Sequence, residues 1–198
     1  DRTAIVRIDT TNPSTTDDAP AGWSKAAVTV ALTGGDGAGS GVATTTYEVD
    51  GGATQTGTTV GVAAPADHSN DGTHTITYRS TDGAGNVEAD RTATVRIDTT
   101  APSTTDDAPA APSSDDVVVT LGPTDAASGV ASTTYEVDGG ATRTGTAVTV
   151  PAPADHSNDG DHTITYRSTD AAGNVEADRT ATVQIDTIGP TVVVTSSP

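Results

Sequence analysis

Residues 65–99 read PADHSNDGTHTITYRSTDGAGNVEADRTATVRIDT, and the same string returns at 153–187 with three changes: Thr73 becomes Asp161, Gly83 becomes Ala171 and Arg96 becomes Gln184. Within it, His74, Ile76, Tyr78 and Ser80 fall on one side of an extended chain, and Thr75, Thr77, Arg79 and Thr81 on the other. Ala93, Val95 and Ile97 likewise oppose Thr94, Arg96 and Asp98. A period of two marks β-strands with one buried face, and the recurrence marks a repeat.

The period is 88 residues here and 89 upstream, where Gly37-Ala38-Gly39 is matched only by Ala126-Ala127. A third register places Asp1–Pro20 on Asp90–Pro109. A period of this size is too long for a solenoid turn and fits a complete small domain. The expected organisation is one repeat over residues 10–98 and a second over 99–187. Residues 1–9 read as the last strand of a preceding copy and 188–198 as the start of a following module.

Elsewhere the same alternation recurs. Val28, Val30 and Leu32 alternate with Thr29 and Ala31, and Tyr47 and Val49 lead into the hairpin turn Asp50-Gly51-Gly52. Val60 and Val62 form a short strand. The second copy offers Val117 and Val119, Tyr135 and Val137, Val148 and Val150, Ile164 and Tyr166, then Val183 and Ile185. No segment sustains a 3.6-residue period. Six or seven short strands per repeat, separated by Gly, Asp and Pro turns, predict an all-β fold: tandem immunoglobulin/fibronectin-type antiparallel β-sandwiches. The chain has no Phe, Met or Cys, one Trp and four Tyr, so each core is thin, and Tyr47, Tyr78, Tyr135 and Tyr166 are its expected anchors.

The chain carries 27 acidic residues against nine basic, a formal charge of −18. Both repeats share the bias: 11 acids and four bases over 10–98, and 14 acids and three bases over 99–186. That charge opposes nucleic acid and anionic membranes as partners, and no apolar run approaches the ~20 residues of a membrane-spanning helix. Without cysteine there is no disulfide framework. There is no nucleophile elbow, phosphate loop or His-Glu zinc helix, so the chain reads as no enzyme. The linkers Asp9–Pro13 and Asp98–Pro102 each follow a strand and end in Pro, which fixes φ and favours a stiff, extended connection.

The succession SGVATTTYEVDGG (Ser40–Gly52), DGTHTITYRSTDGAGNVEA (Asp71–Ala89) and VRIDTTAP (Val95–Pro102) resembles bacterial immunoglobulin-like extracellular repeats, in particular the leptospiral outer-membrane-type β repeats. The second copy carries it as Ser128–Gly140, Asp159–Ala177 and VQIDTIGP (Val183–Pro190), where Ile188-Gly189 replaces the Thr-Ala before the linker proline. The resemblance implies a secreted or surface-anchored protein and supplies no catalytic residues.

Three groups invite chemistry. The acidic linker set Asp9, Asp17 and Asp18, repeated as Asp98, Asp106 and Asp107, offers oxygen ligands that suit calcium, in company with the loop Ser80–Asn86. The turns Asp82–Asn86 and Asp170–Asn174 supply Asp82 and Asp170 as further oxygens, while their Asp, Gly and Asn also meet the needs of a tight turn. The loops DHSNDGTH (Asp67–His74) and DHSNDGDH (Asp155–His162) match no known metal spacing and read as solvated loops. The expected partners are neighbouring repeats of the same array. Calcium is the one candidate cofactor.

Three functions remain open on these residues. One is a stiff acidic spacer. Another is a filament subunit in which the end segments Arg2–Ile8 and Thr191–Thr195 pair with other copies of the chain. The third is a carbohydrate-binding module presenting Trp23 to a cell-surface or glycan ligand, a residue that faces Pro112 in the second copy.

Overall fold

The computed structural model describes Thr3 and residues 5–194. Arg2 and Ala4 of the first end segment and Thr195 of the second lie outside the described residues. The chain divides into two units, residues 1–100 and 101–198.

Unit 1 contains β1 (Ser14–Asp17), β2 (Trp23–Ser24), β3 (Val28–Gly35), β4 (Val42–Val49), β5 (Gln55–Thr56), β6 (Thr59–Val62), β7 (Gly72–Asp82) and β8 (Arg91–Ile97). They form two sheets, β1-β3-β6 and β2-β8-β7-β4-β5, antiparallel except where β2 runs parallel to β8. Val30, Leu32, Val60 and Val62 come from the first sheet; Ile76, Tyr78, Ala93, Val95 and Ile97 come from the second, and together they make the core. This is a β-sandwich of the immunoglobulin/fibronectin type. The long strand β7 buries His74, Ile76, Tyr78, Ser80 and Asp82 in strict alternation.

Unit 2 repeats the plan with β9 (Ser103–Asp106), β10 (Val117–Thr124), β11 (Val130–Val137), β12 (Arg143–Thr144), β13 (Ala147–Val150), β14 (Gly160–Asp170) and β15 (Arg179–Ile185). Its sheets are β13-β10-β9 and β12-β11-β14-β15. The place of β2 is taken by a single parallel bridge, Ser113 to Ile185. Its core gathers Val119, Leu121, Val148, Val150, Ile164, Tyr166, Val183 and Ile185. Of the four tyrosines, Tyr78 and Tyr166 are core residues at 3% exposure, while Tyr47 and Tyr135 pack against the core's edge.

The turn after β4 shows why its sequence is Asp-Gly-Gly. Asp50 and Gly51 adopt φ of 53° and 67°, and the Val49 carbonyl accepts from the Gly52 amide at 2.9 Å. Two successive positive φ values define a type I′ turn, which matches the twist of a hairpin and selects Asp/Asn followed by Gly.

A thin apolar core leaves one end of each sandwich to be closed by polar groups. In unit 1 the hydroxyls of Thr15 on β1 and Thr45 on β4 meet Ser80 Oγ on β7 at 2.6 and 2.8 Å, all three residues being buried. The Glu88 carboxylate, also buried, accepts from the Thr15 amide at 2.8 Å and the Ser80 amide at 3.3 Å, and pairs with Arg91. Because β1 and β7 belong to different sheets, Glu88 fastens one sheet to the other. Thr104, Thr133, Ser168, Glu176 and Arg179 rebuild this staple in unit 2.

Candidate metal centre

Turn chemistry at the end of β7 sets the first carboxylate. Asp82 Oδ1 accepts from the amides of Ala84 and Asn86 at 2.9 and 2.8 Å, and Oδ2 accepts from Asn86 Nδ2 at 2.7 Å. Gly85 takes φ of 91°, a conformation that glycine adopts without a Cβ penalty. Asn86 Nδ2 also reaches the Asp9 carbonyl at 3.2 Å, so the turn holds the segment leading into the sandwich.

Asp9 is the second carboxylate. Its Oδ1 accepts from the Thr11 amide at 3.0 Å and its Oδ2 from the Ser40 amide at 2.6 Å. These contacts, led by the Thr11 amide and then Ser40, hold its pKa below the usual Asp range.

The third is Asp36, in the glycine-rich loop between β3 and β4. Its Oδ2 accepts from the Gly41 amide at 2.7 Å. Its Oδ1 is buried and has no hydrogen-bond partner among the described residues. Asp9, Asp36 and Asp82 each present a carboxylate oxygen, and the three lie within 4.8 Å of one another. The loop passes so close that a Cβ at Gly39 would stand 2.5 Å from Asp36 Oδ2 and 2.7 Å from Asp9 Oδ2.

Unit 2 carries corresponding groups. Asp125 Oδ2 accepts from Ala127 and Gly129 amides at 3.1 and 2.6 Å, and its Oδ1 is again buried without a partner. Asp170 accepts from the amide and side chain of Asn174, both at 2.8 Å.

Asp17, Asp18, Asp106 and Asp107 have local duties. Asp17 Oδ2 accepts from the Tyr78 hydroxyl at 2.6 Å and Asp106 Oδ2 from Tyr166 at 2.6 Å. Burial first, and then these carboxylates, push both phenols up to about 12. Asp18 accepts from the Ala31 amide at 2.7 Å and Asp107 from the Thr120 amide at 2.5 Å, pinning each to the neighbouring strand. Asp98 is wholly buried at the close of β8 and accepts from the Thr100 amide at 3.1 Å. Sequence reasoning brought Asp9 and Asp82 into one discussion but passed over Asp36. The available signal was a single acid in a glycine-rich loop, matched by Asp125 in the second copy.

The DHSNDGTH loops are knitted by hydrogen bonds. In unit 1, Asp71 Oδ1 accepts from the Thr99 amide and hydroxyl at 2.9 and 2.7 Å, and Oδ2 from the Thr100 hydroxyl at 2.7 Å. The loop thus grips the first linker residues. In unit 2, Asp159 Oδ1 accepts from Thr187 in the same way, but Ile188 stands where unit 1 has Thr100. Asp159 Oδ2 is left buried without a hydrogen-bond partner, with His156 Nδ1 3.8 Å away. Ile188→Thr restores the missing hydroxyl, and unit 2 should gain about 1 kcal/mol in thermal unfolding, while Ile188→Val should leave it unchanged. An equal response to both substitutions would show that the hydroxyl is not what unit 2 lacks.

Trp23, the candidate sugar platform, is half-buried on β2, paired with Arg96 of β8. No helix among the described residues is long and apolar enough to cross a membrane.

No protein-family model matches the chain, and no curated protein matches its sequence. Among solved structures it is similar to the fibronectin(III)-like modules of Clostridium thermocellum CbhA, with a TM-score of 0.43 and 13% identity over 87% of this chain and 94% of that one. It is also similar to the D00-D0 domain of intimin, with a TM-score of 0.42 and 8% identity over 86% and 97% of the two chains. The BSP domain of a biofilm-associated protein gives a TM-score of 0.27 and 20% identity over 87% and 30%.

Proposed function

We propose that this chain is a non-catalytic spacer: immunoglobulin-like repeats of an extracellular array, of the kind the leptospiral-type repeats exemplify, which hold a functional head away from the cell or its anchor. The observation that carries this reading is that two self-contained sandwiches succeed one another with the same core and the same staple. What recurs is framework, down to individual hydrogen bonds such as Tyr78–Asp17 and Tyr166–Asp106. A repeated framework adds length with each copy. The proline linkers favour an extended connection, and Asp71 holds Thr99 and Thr100 at the start of one. The acidic surface suits a module that stays soluble at high local density and ignores polyanions.

The longest strand has 11 residues, which at ~3.3 Å each gives about 36 Å along a unit. Small-angle scattering on proteins of one, two and four copies should show the maximum dimension rising by about 35 Å per copy. Compact particles that thicken instead of lengthening would overturn the spacer.

One observation favours a second reading, a self-assembling subunit. Ile5, Val6 and Ile8, and also Val192, Val193 and Val194, are each about four-fifths exposed. Strand-forming apolar residues left unpaired invite pairing with another copy. Concentration-dependent growth in the same scattering series would favour that reading over the spacer.

A further inference from the structure

We propose that Asp9, Asp36 and Asp82 form a calcium site that clamps the entering segment of the chain to the β-sandwich of unit 1. Three carboxylates from three separate segments converge until an oxygen of each lies within 4.8 Å of the others. Asp9 lies on the entering segment, Asp36 in the β3–β4 loop and Asp82 at the end of β7. Like charges at such separations repel unless a cation lies among them.

The convergence alone would be an acidic cluster. Asp36 makes it a site. This residue is more than nine-tenths buried, belongs to the trio, and keeps one carboxylate oxygen with no hydrogen-bond partner. A buried ionised oxygen without a donor lacks both the water it left and a replacement, and a metal ion is one way to satisfy it. The oxygen in the corresponding place of unit 2, Asp125 Oδ1, is orphaned in the same manner although its loop is one residue shorter. The other oxygens of unit 1's trio are oriented by the amides of Thr11, Ser40, Gly41, Ala84 and Asn86, which is how ligating carboxylates are held in place.

The donor chemistry chooses the ion. All three ligands are hard oxygens, with no sulfur or imidazole in the trio, which disfavours zinc and copper. Donors from three loops with unequal constraints suit calcium's irregular six- to eight-oxygen shell better than magnesium's near-ideal octahedron. Gly39 lets the loop backbone lie against both Asp9 and Asp36, where a Cβ would meet their carboxylates.

The proposal stands or falls apart from the spacer reading, because it concerns ion binding and not length. The test is calorimetric titration of calcium chloride into the chelator-treated chain, alongside thermal unfolding with calcium or magnesium at matched ionic strength. Calcium should bind and raise the unfolding midpoint by several degrees, and magnesium should not. Asp36→Asn should weaken calcium at least tenfold while melting, without calcium, at or above the unaltered chain, because one repelling charge is gone. Asp9→Asn, at a half-exposed position, should weaken binding similarly and serves if Asp36→Asn does not fold. No calcium heat, an equal response to magnesium, or undiminished binding in both variants would overturn the site.

Discussion

Replacing Glu88 by Ala should destabilise unit 1 by about 2–4 kcal/mol, because the buried Thr15 and Ser80 amides lose a charged acceptor. Folded domains hold only about 5–15 kcal/mol in total, so this change brings unit 1 near its unfolding threshold. Three losses add up. The Thr15 and Ser80 amides lose their acceptor, Arg91 loses its counter-ion, and a void opens between the two sheets. Burial alone would raise the Glu88 pKa, but hydrogen bonds from Thr15, Arg91 and Ser80 lower it, so the charged form is the one the fold stabilises. Glu88→Gln keeps the shape and an acceptor oxygen but loses the charge, and should cost less than the alanine change. Residue-resolved amide exchange checks the assignment: protection should fall first in β1. A cost under about 1 kcal/mol would mean the Thr15–Ser80–Thr45 hydroxyl cluster closes that end without Glu88.

Each unit should also become less stable as pH rises from about 6.5 to 8.5, above the ordinary titration point of histidine. His74 Nδ1 lies 2.7 Å from Asp50 Oδ2 and Nε2 lies 2.9 Å from the Asn70 carbonyl, both of them acceptors. Both ring nitrogens must then donate, which requires the imidazolium. Burial pulls the His74 pKa down, but the hydrogen bonds to Asp50 and Asn70 outweigh it and the net shift is upward. In unit 2 the Asn158 carbonyl and then Asp138 raise His162. A raised histidine contributes fully below its unfolded value and loses that contribution as pH climbs through the folded one. Asp50 and Asp138 are lowered chiefly by their histidines, so their share is lost in the opposite direction, as pH falls below the ordinary Asp range. The clasp is therefore strongest between about pH 4 and 6.5. Charged hydrogen bonds contribute about 1.5–3 kcal/mol, and the half-exposed Asp50 keeps this one near the lower end. Unfolding midpoints of the unaltered chain and of a His74→Gln, His162→Gln double variant should converge at alkaline pH and separate at pH 5.5. Parallel curves would show that the imidazolium is not what holds these loops.

The strands that could be read from the sequence were those whose burial alternates. On β7 and β8, Ile76, Tyr78, Val95 and Ile97 announce the face that meets the core, because period-two patterning and burial are the same fact. The short strands β1, β2 and β5 carry no such signal. Of the four residues of β1 only Thr15 is buried, and it is held by Glu88, 73 positions along the chain. Asp36 could be read only as a lone acid in its loop, and its partners could not be, for a related reason. Nothing in a glycine-rich loop indicates its neighbours, and only the folded connections bring it to Asp9 and Asp82. Asp17 and Asp18 show the converse. An Asp pair suggests ligands, yet one receives a tyrosine hydroxyl and the other pins a strand amide. Backbone and hydroxyl donors nearby compete for carboxylates, and short-range spacing does not reveal that competition.

The four-residue contact of β1 with β3, from Ser14–Gly35 to Asp17–Leu32, sets how unit 1 responds to tension. Load drawn from the amino-terminal side enters through β1, whose ladder is short and whose further hold is side-chain contacts: Glu88 and Ser80 on Thr15, Arg91 on Ser14 and Tyr78 on Asp17. Under pull, that strand should yield before the seven paired positions of β7 and β8. The unit should then act as a shock absorber, releasing the slack of one strand while the longer ladder stays shut.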